Sequence, residues 1–112
     1  MSGRIISRQD QADLTANSFD VDFNFENACR LLTVYIHAST NLTENITVTF
    51  KSGRGANYNT VIATRLLDTE SDYVYSANGM VAVNEIDSVN VSVTNANNTG
   101  SVYVTVKAET DY

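Results

Sequence analysis

The sequence predicts an all-β fold: an antiparallel β-sandwich of about eight strands, jelly-roll-like or Ig-like, with an N-terminal extended arm. Two observations carry this prediction. Apolar and polar residues alternate with a period of two over most of the chain, and the segments between have the composition of turns. In addition, no segment sustains the 3.6-residue period of an amphipathic helix. The 112 residues suit one domain, which we divide into an arm (residues 1–18) and a β-sandwich (residues 19–112).

The predicted strands recur at intervals of roughly 8–12 residues, a spacing typical of sandwiches and small barrels. They cover residues 19–25, 30–37, 46–51, 60–67, 72–76, 80–83, 89–93 and 102–106. Residues 30–37 have apolar side chains on both faces, which predicts a central strand covered on both sides. Asn78-Gly79 is a strong hairpin-turn signal, and residues 52–55 and 95–100 are predicted loops.

The first 18 residues mix charged and amide side chains without a period, so they fall outside the strand pattern. One interpretation is a frayed terminus. The other is an arm that becomes ordered against a neighbouring subunit, with Ile5, Ile6 and Leu14 as anchors. In that interpretation Arg4 and Arg8 dock beside the two isoleucines, because guanidinium groups suit an acidic partner surface.

Charge and composition narrow the range of partners. The formal net charge is −6, from seven Lys and Arg against 13 Asp and Glu. Because so few cations are available to neutralise phosphates, we expect no nucleic-acid partner. No run has the length of a membrane span or the pattern of a signal peptide, so we expect no membrane partner. The absence of proline leaves sheet edges open to pairing with another chain.

Cys29 and His37 are the natural candidates for nucleophilic chemistry. Eight residues along one extended strand separate them by about 26 Å, so we predict that Cys29 is a small buried apolar side chain. A single histidine with a single thiolate cannot build a zinc site. The acidic stretch 68–72 lacks the glycine and the distal glutamate of a calcium-binding EF-hand loop. We therefore expect no enzyme activity, no catalytic or metal-binding residues and no cofactor.

Residues 46–62 contain an alternating strand followed by a short motif. Two later predicted strands, 89–93 and 102–106, follow it, and the second lies near the C-terminus. The motif residues are Ser52, Gly55, Tyr58, Asn59 and Thr60. Over about residues 44–108 the chain resembles small β-sandwich virion proteins of tailed bacteriophages, in which an aspartate takes the place of Asn59. The resemblance implies a head decoration (cement) protein that binds the major capsid protein, or another virion protein, and stabilises the shell.

The same resemblance implies a homo-oligomer, with a trimer favoured, located in the virion after assembly in the host cytoplasm. Two alternatives stay open. The chain could be a head–tail connector, tail or fibre component. It could also be a carbohydrate- or cell-surface-binding module that uses loop residues, because tyrosine rings are rigid, amphipathic contact groups. The possible loop contacts are Arg54, Tyr58, Asn97 and Asn98.

Overall fold

A computed structural model describes residues 3–110, and within that range the chain forms six β-strands and one 3₁₀ turn. The strands are β1 (Ile5–Asp13), β2 (Phe19–Phe23), β3 (Cys29–Lys51), β4 (Thr60–Val83), β5 (Ser88–Val93) and β6 (Ser101–Thr110), with the 3₁₀ turn at Ala56–Tyr58. The all-β prediction is confirmed. The described residues form no helix long and apolar enough to cross a membrane.

All six strands belong to one antiparallel sheet, which bends until it is nearly closed as a barrel. The order is β1-β6-β3-β5-β2, and β4 also pairs with β3. β3 is the shared strand: residues 29–38 pair with β6, and residues 46–51 pair with β5. β4 follows β3 along both parts. The predicted eight-stranded sandwich is therefore wrong in strand number and in architecture.

The strand number is wrong because the chain bends where a turn was predicted. Predicted strands 30–37 and 46–51 are both parts of β3, and three further predicted strands merge into β4. Shifts in the β3–β4 register mark the bends, one of them between His37 and Leu42. Extra residues in one strand bend it without ending the ladder. Polar residues at such a bend point to solvent, as they would in a turn, and their composition does not distinguish the two.

The core consists of the side chains that the period of two points inward. The fully enclosed positions include Phe19, Phe25, Leu31, Val34, Ile46, Val48, Leu67, Val89, Val91, Val93, Val102 and Val106. Cys29 is 1% exposed and belongs to the same cluster, as predicted. Burial of these side chains is the main force that holds the bent sheet together.

The prediction that the first part of β3 is covered on both faces is wrong. A register shift just after Leu31 moves the alternation by one residue, so Leu31, Val34 and Ile36 all face the core. Tyr35 points outward and is 39% exposed. β3 is thus central within the sheet, but only one of its faces is covered.

Half of the predicted N-terminal arm, Ile5–Asp13, is a strand of the sheet, and residues 14–18 form the turn that follows it; residues 1–2 lie outside the described residues. Nine consecutive residues of β1 pair with β6, from Ile5 to Asp13. At the start of β1, the Arg4 N–H donates to Thr110 Oγ1 at 2.8 Å, and the Thr110 N–H donates to the Arg4 carbonyl at 2.9 Å. Leu14 follows and is 0% exposed. Residues 4–14 therefore form an edge strand and a core contact of this domain.

Candidate functional site

β4 has a free edge, the side of Thr60–Val83 that is turned away from β3; we call it the β4 edge. Within residues 3–110, β4 pairs with β3 alone. One side of this 24-residue strand is therefore not hydrogen-bonded to any other described strand, and it presents backbone N–H and C=O groups for pairing. The sheet's other border is different, because its two end strands, β1 and β2, contact each other. The β4 edge is thus the accessible border of the nearly closed barrel.

The side chains of β4 favour contact with another molecule. Four large apolar side chains are exposed: Val61 (56%), Leu66 (55%), Val74 (51%) and Met80 (84%). Residues 73–83 contain no charged residue and no proline. Charged residues and prolines are common devices that prevent edge strands from pairing with other chains. This half of the β4 edge lacks both.

A protrusion interrupts the β4 edge at Asn78-Gly79. The register with β3 leaves four β4 residues, 77–80, opposite a single β3 residue. Asn78 and Gly79 have φ values of 54° and 75°, the left-handed backbone that a type I′ turn requires. The predicted turn conformation is present, but it forms a bulge inside β4, and the predicted hairpin between separate strands is wrong. Met80 lies in this bulge and is the most exposed of the large apolar residues.

The outer face of β1, β6, β3 and β4 combines aromatic and amide side chains, and we call it the Tyr/Gln face. Strand register places two rows of residues across these strands. One row is Gln11, Tyr103, His37 and Asp72, and the next is Gln9, Thr105, Tyr35 and Val74. Tyr103 is 44% exposed and borders an open groove of about 420 Å³ shared with Gln9 and Gln11. This face can offer rings and amides to a polar ligand.

His37 and Asp72 form a close side-chain hydrogen bond on the Tyr/Gln face. His37 Nδ1 lies 2.6 Å from Asp72 Oδ1, and both side chains are about two-thirds exposed (63% and 62%). The His37 hydrogen bond, with a second from Ser71 Oγ, holds the pKa of Asp72 below its ordinary value. Ser71 donates to Asp72 and not to His37, so its hydroxyl is not activated as in a nucleophile–base–acid triad. Cys29 faces the core on the same strand, away from His37.

Asp20 and Asp22 lie on the outer face of the other half of the sheet. The Asn90 side-chain amide donates to Asp20 Oδ1 at 2.7 Å and to Asp22 Oδ1 at 2.8 Å, and Lys51 Nζ lies 3.0 Å from Asp22 Oδ2. The Asn90 hydrogen bond, helped by Lys51, holds the pKa of Asp22 below its ordinary value. In the part of the chain that the structure describes, no three His, Cys, Asp or Glu side chains are grouped to hold a metal ion.

Glu44 is a buried carboxylate that holds the loop between β5 and β6. It is 2% exposed. Its Oε1 accepts hydrogen bonds from Thr94 Oγ1 at 2.7 Å and from the Ala96 N–H at 3.0 Å, and its Oε2 accepts from the Asn97 N–H at 2.9 Å. Because these donors belong to the domain itself, Glu44 is a loop clamp.

The short motif on which the resemblance to phage virion proteins is based lies mainly in the loop between β3 and β4. The Ser52 N–H donates to Asn59 Oδ1 at 2.9 Å. The Gly53 N–H donates to Asp87 Oδ1 at 3.0 Å, and Asp87 is 6% exposed. An aspartate in place of Asn59 would accept the same bond, since a carboxylate oxygen replaces the amide oxygen. These motif positions therefore shape the loop.

The five predicted N-terminal contact residues do not share one face. Leu14 is enclosed in the core of its own domain, so it is not available to a partner in this fold. Ile6 is half-buried and packs against the same core. Arg4 and Ile5 are exposed, Ile5 at 57%, and Arg8 is half-buried. Arg4, Ile5, Ile6 and Arg8 nevertheless all border one open groove of about 370 Å³.

The predicted loop contacts fall into two separate groups. Arg54 and Tyr58 lie in the loop between β3 and β4, where Tyr58 is 65% exposed. Asn97 and Asn98 are exposed in the loop between β5 and β6. The two loops flank opposite ends of β5, whose length is roughly 17 Å. The structure thus does not bring the four residues into one site.

Sequence reasoning missed both the β4 edge and the Tyr/Gln face. The signal for the edge was the uncharged run 73–83, which the predicted hairpin at Asn78-Gly79 divided into two short strands. The signal for the face was the outward alternation of Tyr35 and His37 in a strand that was expected to be covered on both sides. Only the register with β6 places Tyr103 beside them.

Comparison with known proteins gives a likeness in fold. No family model matches the chain, and no curated protein matches it. Among solved structures, the chain is similar to one described as the crystal structure of PirA. The identity is 11% and the TM-score is 0.54, over 92% of this chain and 93% of that chain. At this identity the likeness concerns the fold alone.

Proposed function

We propose that this chain is a non-enzymatic assembly protein that decorates and stabilises the head of a tailed-phage virion. The observation that carries the proposal is the β4 edge, a long strand side that no other strand among residues 3–110 pairs with and that has exposed apolar residues. An assembly protein needs a stable domain with a surface that neighbours can pair with, and it needs no reactive group. The net charge of −6 keeps the free protein soluble at the high concentration that a many-copy component reaches.

The specific role as a decoration protein is supported by the resemblance of residues 44–108 to phage virion proteins. Arg4, Ile5, Ile6 and Arg8 are our candidates for the contact with the shell, because they border one groove at the start of β1. Two arginines next to an exposed isoleucine suit an acidic, partly apolar partner. Many copies on one shell would bind with avidity even where each contact is weak.

Particles assembled with and without this chain provide the test of the decoration role. We expect particles that lack it to lose integrity at a lower temperature, or after a milder osmotic shock, than complete particles. Equal resistance of the two preparations would contradict the role. The number of copies per particle then separates decoration, with many copies over the shell, from a connector, tail or fibre role, with few copies.

The shell contact is tested by reversing charge without removing β1. Arg4→Glu combined with Arg8→Glu should lower occupancy on particles, because both side chains border the proposed contact groove. Arg54→Glu is the matched control, since Arg54 is exposed in a loop after β3. Equal occupancy of the double variant and the control would exclude this groove as the contact.

A carbohydrate-binding role is the second candidate, and the Tyr/Gln face is the observation that favours it. Two exposed tyrosine rings, glutamine amides and an open groove lie on one sheet face. A glycan array with the full chain tests this role. Tyr103→Ala should abolish any signal, whereas Tyr58→Ala, in a loop elsewhere, should preserve it. A signal that depends on Tyr58 instead would assign binding to the loop between β3 and β4.

A further inference from the structure

We infer that residues 72–76 of β4 form a two-fold interface with the same segment of a second copy of this chain. Antiparallel pairing of the two segments would join the outer halves of two barrels into one continuous sheet, in the strand order β1-β6-β3-β4-β4-β3-β6-β1. This inference deepens the proposed assembly function and rests on it, since it names the first partner.

The geometry of β4 selects this segment and its register. Two positive-φ positions flank it: Thr69, with φ 55°, on one side and Asn78, with φ 54°, on the other. Between them, residues 72–76 pair with β3 without interruption. Their centre is Val74. A two-fold axis at Val74 therefore pairs the whole regular segment with its copy and leaves the bulge at 77–80 outside the ladder.

The side chains are compatible with self-pairing in this register. Val74 would lie opposite Val74 of the second copy, Tyr73 opposite Tyr75, and Asp72 opposite Ser76. No like charges stand directly opposite, which matters for two chains of net charge −6 each. Aromatic and β-branched residues are the side chains that stabilise cross-strand pairs. Val74 is 51% exposed in the single chain and would contact its counterpart in the pair.

The same geometry favours a dimer over the trimer that the phage resemblance implies. A strand that pairs with its own copy makes an isologous contact, which closes with two subunits. A trimer would require β4 to pair with a different edge of the next copy. The other two end strands, β1 and β2, contact each other and are less accessible.

Sedimentation velocity of the full chain, at concentrations up to about 0.1 mM, measures the interface directly. We expect a reversible monomer–dimer equilibrium in the wild type. Val74→Lys should weaken it by at least about tenfold, because two ammonium groups would face each other at the axis. Val61→Lys is the matched control: the same substitution, on the same strand, at a valine that is 56% exposed. It should leave the equilibrium unchanged.

Cysteine cross-linking keeps the test valid if the lysine variant fails to fold. Val74→Cys should give a disulfide-linked dimer under mild oxidation, since directly opposed residues have Cβ atoms about 4.5–5.5 Å apart. Val61→Cys should remain monomeric. A wild-type chain that stays monomeric, or a dimer that is lost in Val61→Lys and kept in Val74→Lys, would overturn the inference. If the chain is monomeric but still stabilises particles, the dimer interface is refuted and the decoration role is kept. If the chain dimerises but has no effect on particle stability, the decoration role is refuted and the dimer interface is kept.

Discussion

Replacement of Leu14 by alanine tests whether the N-terminal segment is part of the domain. Leu14 is 0% exposed and directly follows β1, so the substitution removes buried methyl groups and leaves a cavity. Leucine-to-alanine changes at such sites cost about 2–5 kcal/mol. The free energy of unfolding of a domain is about 5–15 kcal/mol in total, so the effect should be large. The control is Ile5→Ala in the same strand, which is 57% exposed and should change stability by less than about 0.5 kcal/mol.

Urea unfolding followed by circular dichroism measures both variants. We expect Leu14→Ala to lower the midpoint strongly with little change in the slope, and Ile5→Ala to overlay the wild type. If the two variants unfold at the same urea concentration, Leu14 is not a core residue and the segment is peripheral. The structure also implies that deletion of residues 1–15 unfolds or severely destabilises the domain, because the deletion uncovers β6 and removes Leu14. Loss of particle binding in that deletion would therefore not identify a docking arm.

Three further changes probe the interior and the surface. Glu44→Gln should lower the free energy of unfolding by about 1.5–3 kcal/mol, since an amide group replaces one acceptor of a charge-assisted bond. The control is Glu85→Gln, because Glu85 is exposed and the substitution changes the charge equally. Equal unfolding midpoints of the two variants would refute the role of Glu44 as a loop clamp. Gly79→Ala should lower the free energy of unfolding by about 1 kcal/mol, because φ of Gly79 is 75° and a residue with a Cβ is strained at that angle. Thermal unfolding measures this, and an unchanged melting temperature would contradict it. Asp22 has a pKa lowered chiefly by Asn90, so its stabilisation is present above the unfolded-state pKa of about 4 and is lost as the pH falls through the lower folded value. The difference in stability between wild type and Asp22→Asn should thus be well under about 1 kcal/mol at neutral pH and vanish in acid; a difference that grows in acid would have the wrong sign.

Most of the strand positions could be predicted from the sequence, and their continuity could not. All residues from Phe19 to Phe23, and the alternating valines of β5 and β6, lie in strands with the predicted face inward. The alternation is local chemistry, and any sheet that buries one face preserves it. The bends inside β3 and β4 depend on which partner strand lies alongside. A polar stretch is compatible with a turn or with a bend until that partner is known.

β1 shows that a strand can also form where the sequence has no strand pattern. Ile5–Asp13 has no clear period of two, because its inward positions include Arg8 and Asp10, which lie at the border of the sheet. The backbone pairs with β6 all the same, since an edge strand gains hydrogen bonds whether or not its side chains are apolar. No pattern in the residues themselves would have indicated this strand.

The sequence by itself determined that this protein is an antiparallel β domain with an acidic surface and a buried Cys29, because those properties follow from the order of apolar and polar residues and from the charge count. The tertiary structure alone decided that, within residues 3–110, six strands form one nearly closed sheet and β4 retains a free edge. It also decided that Tyr35, Tyr103 and the glutamines of β1 share a face. The physical reason is that strand pairing joins residues far apart in the chain. Register, bends and free edges are properties of pairs of strands, and a single segment does not encode its partner.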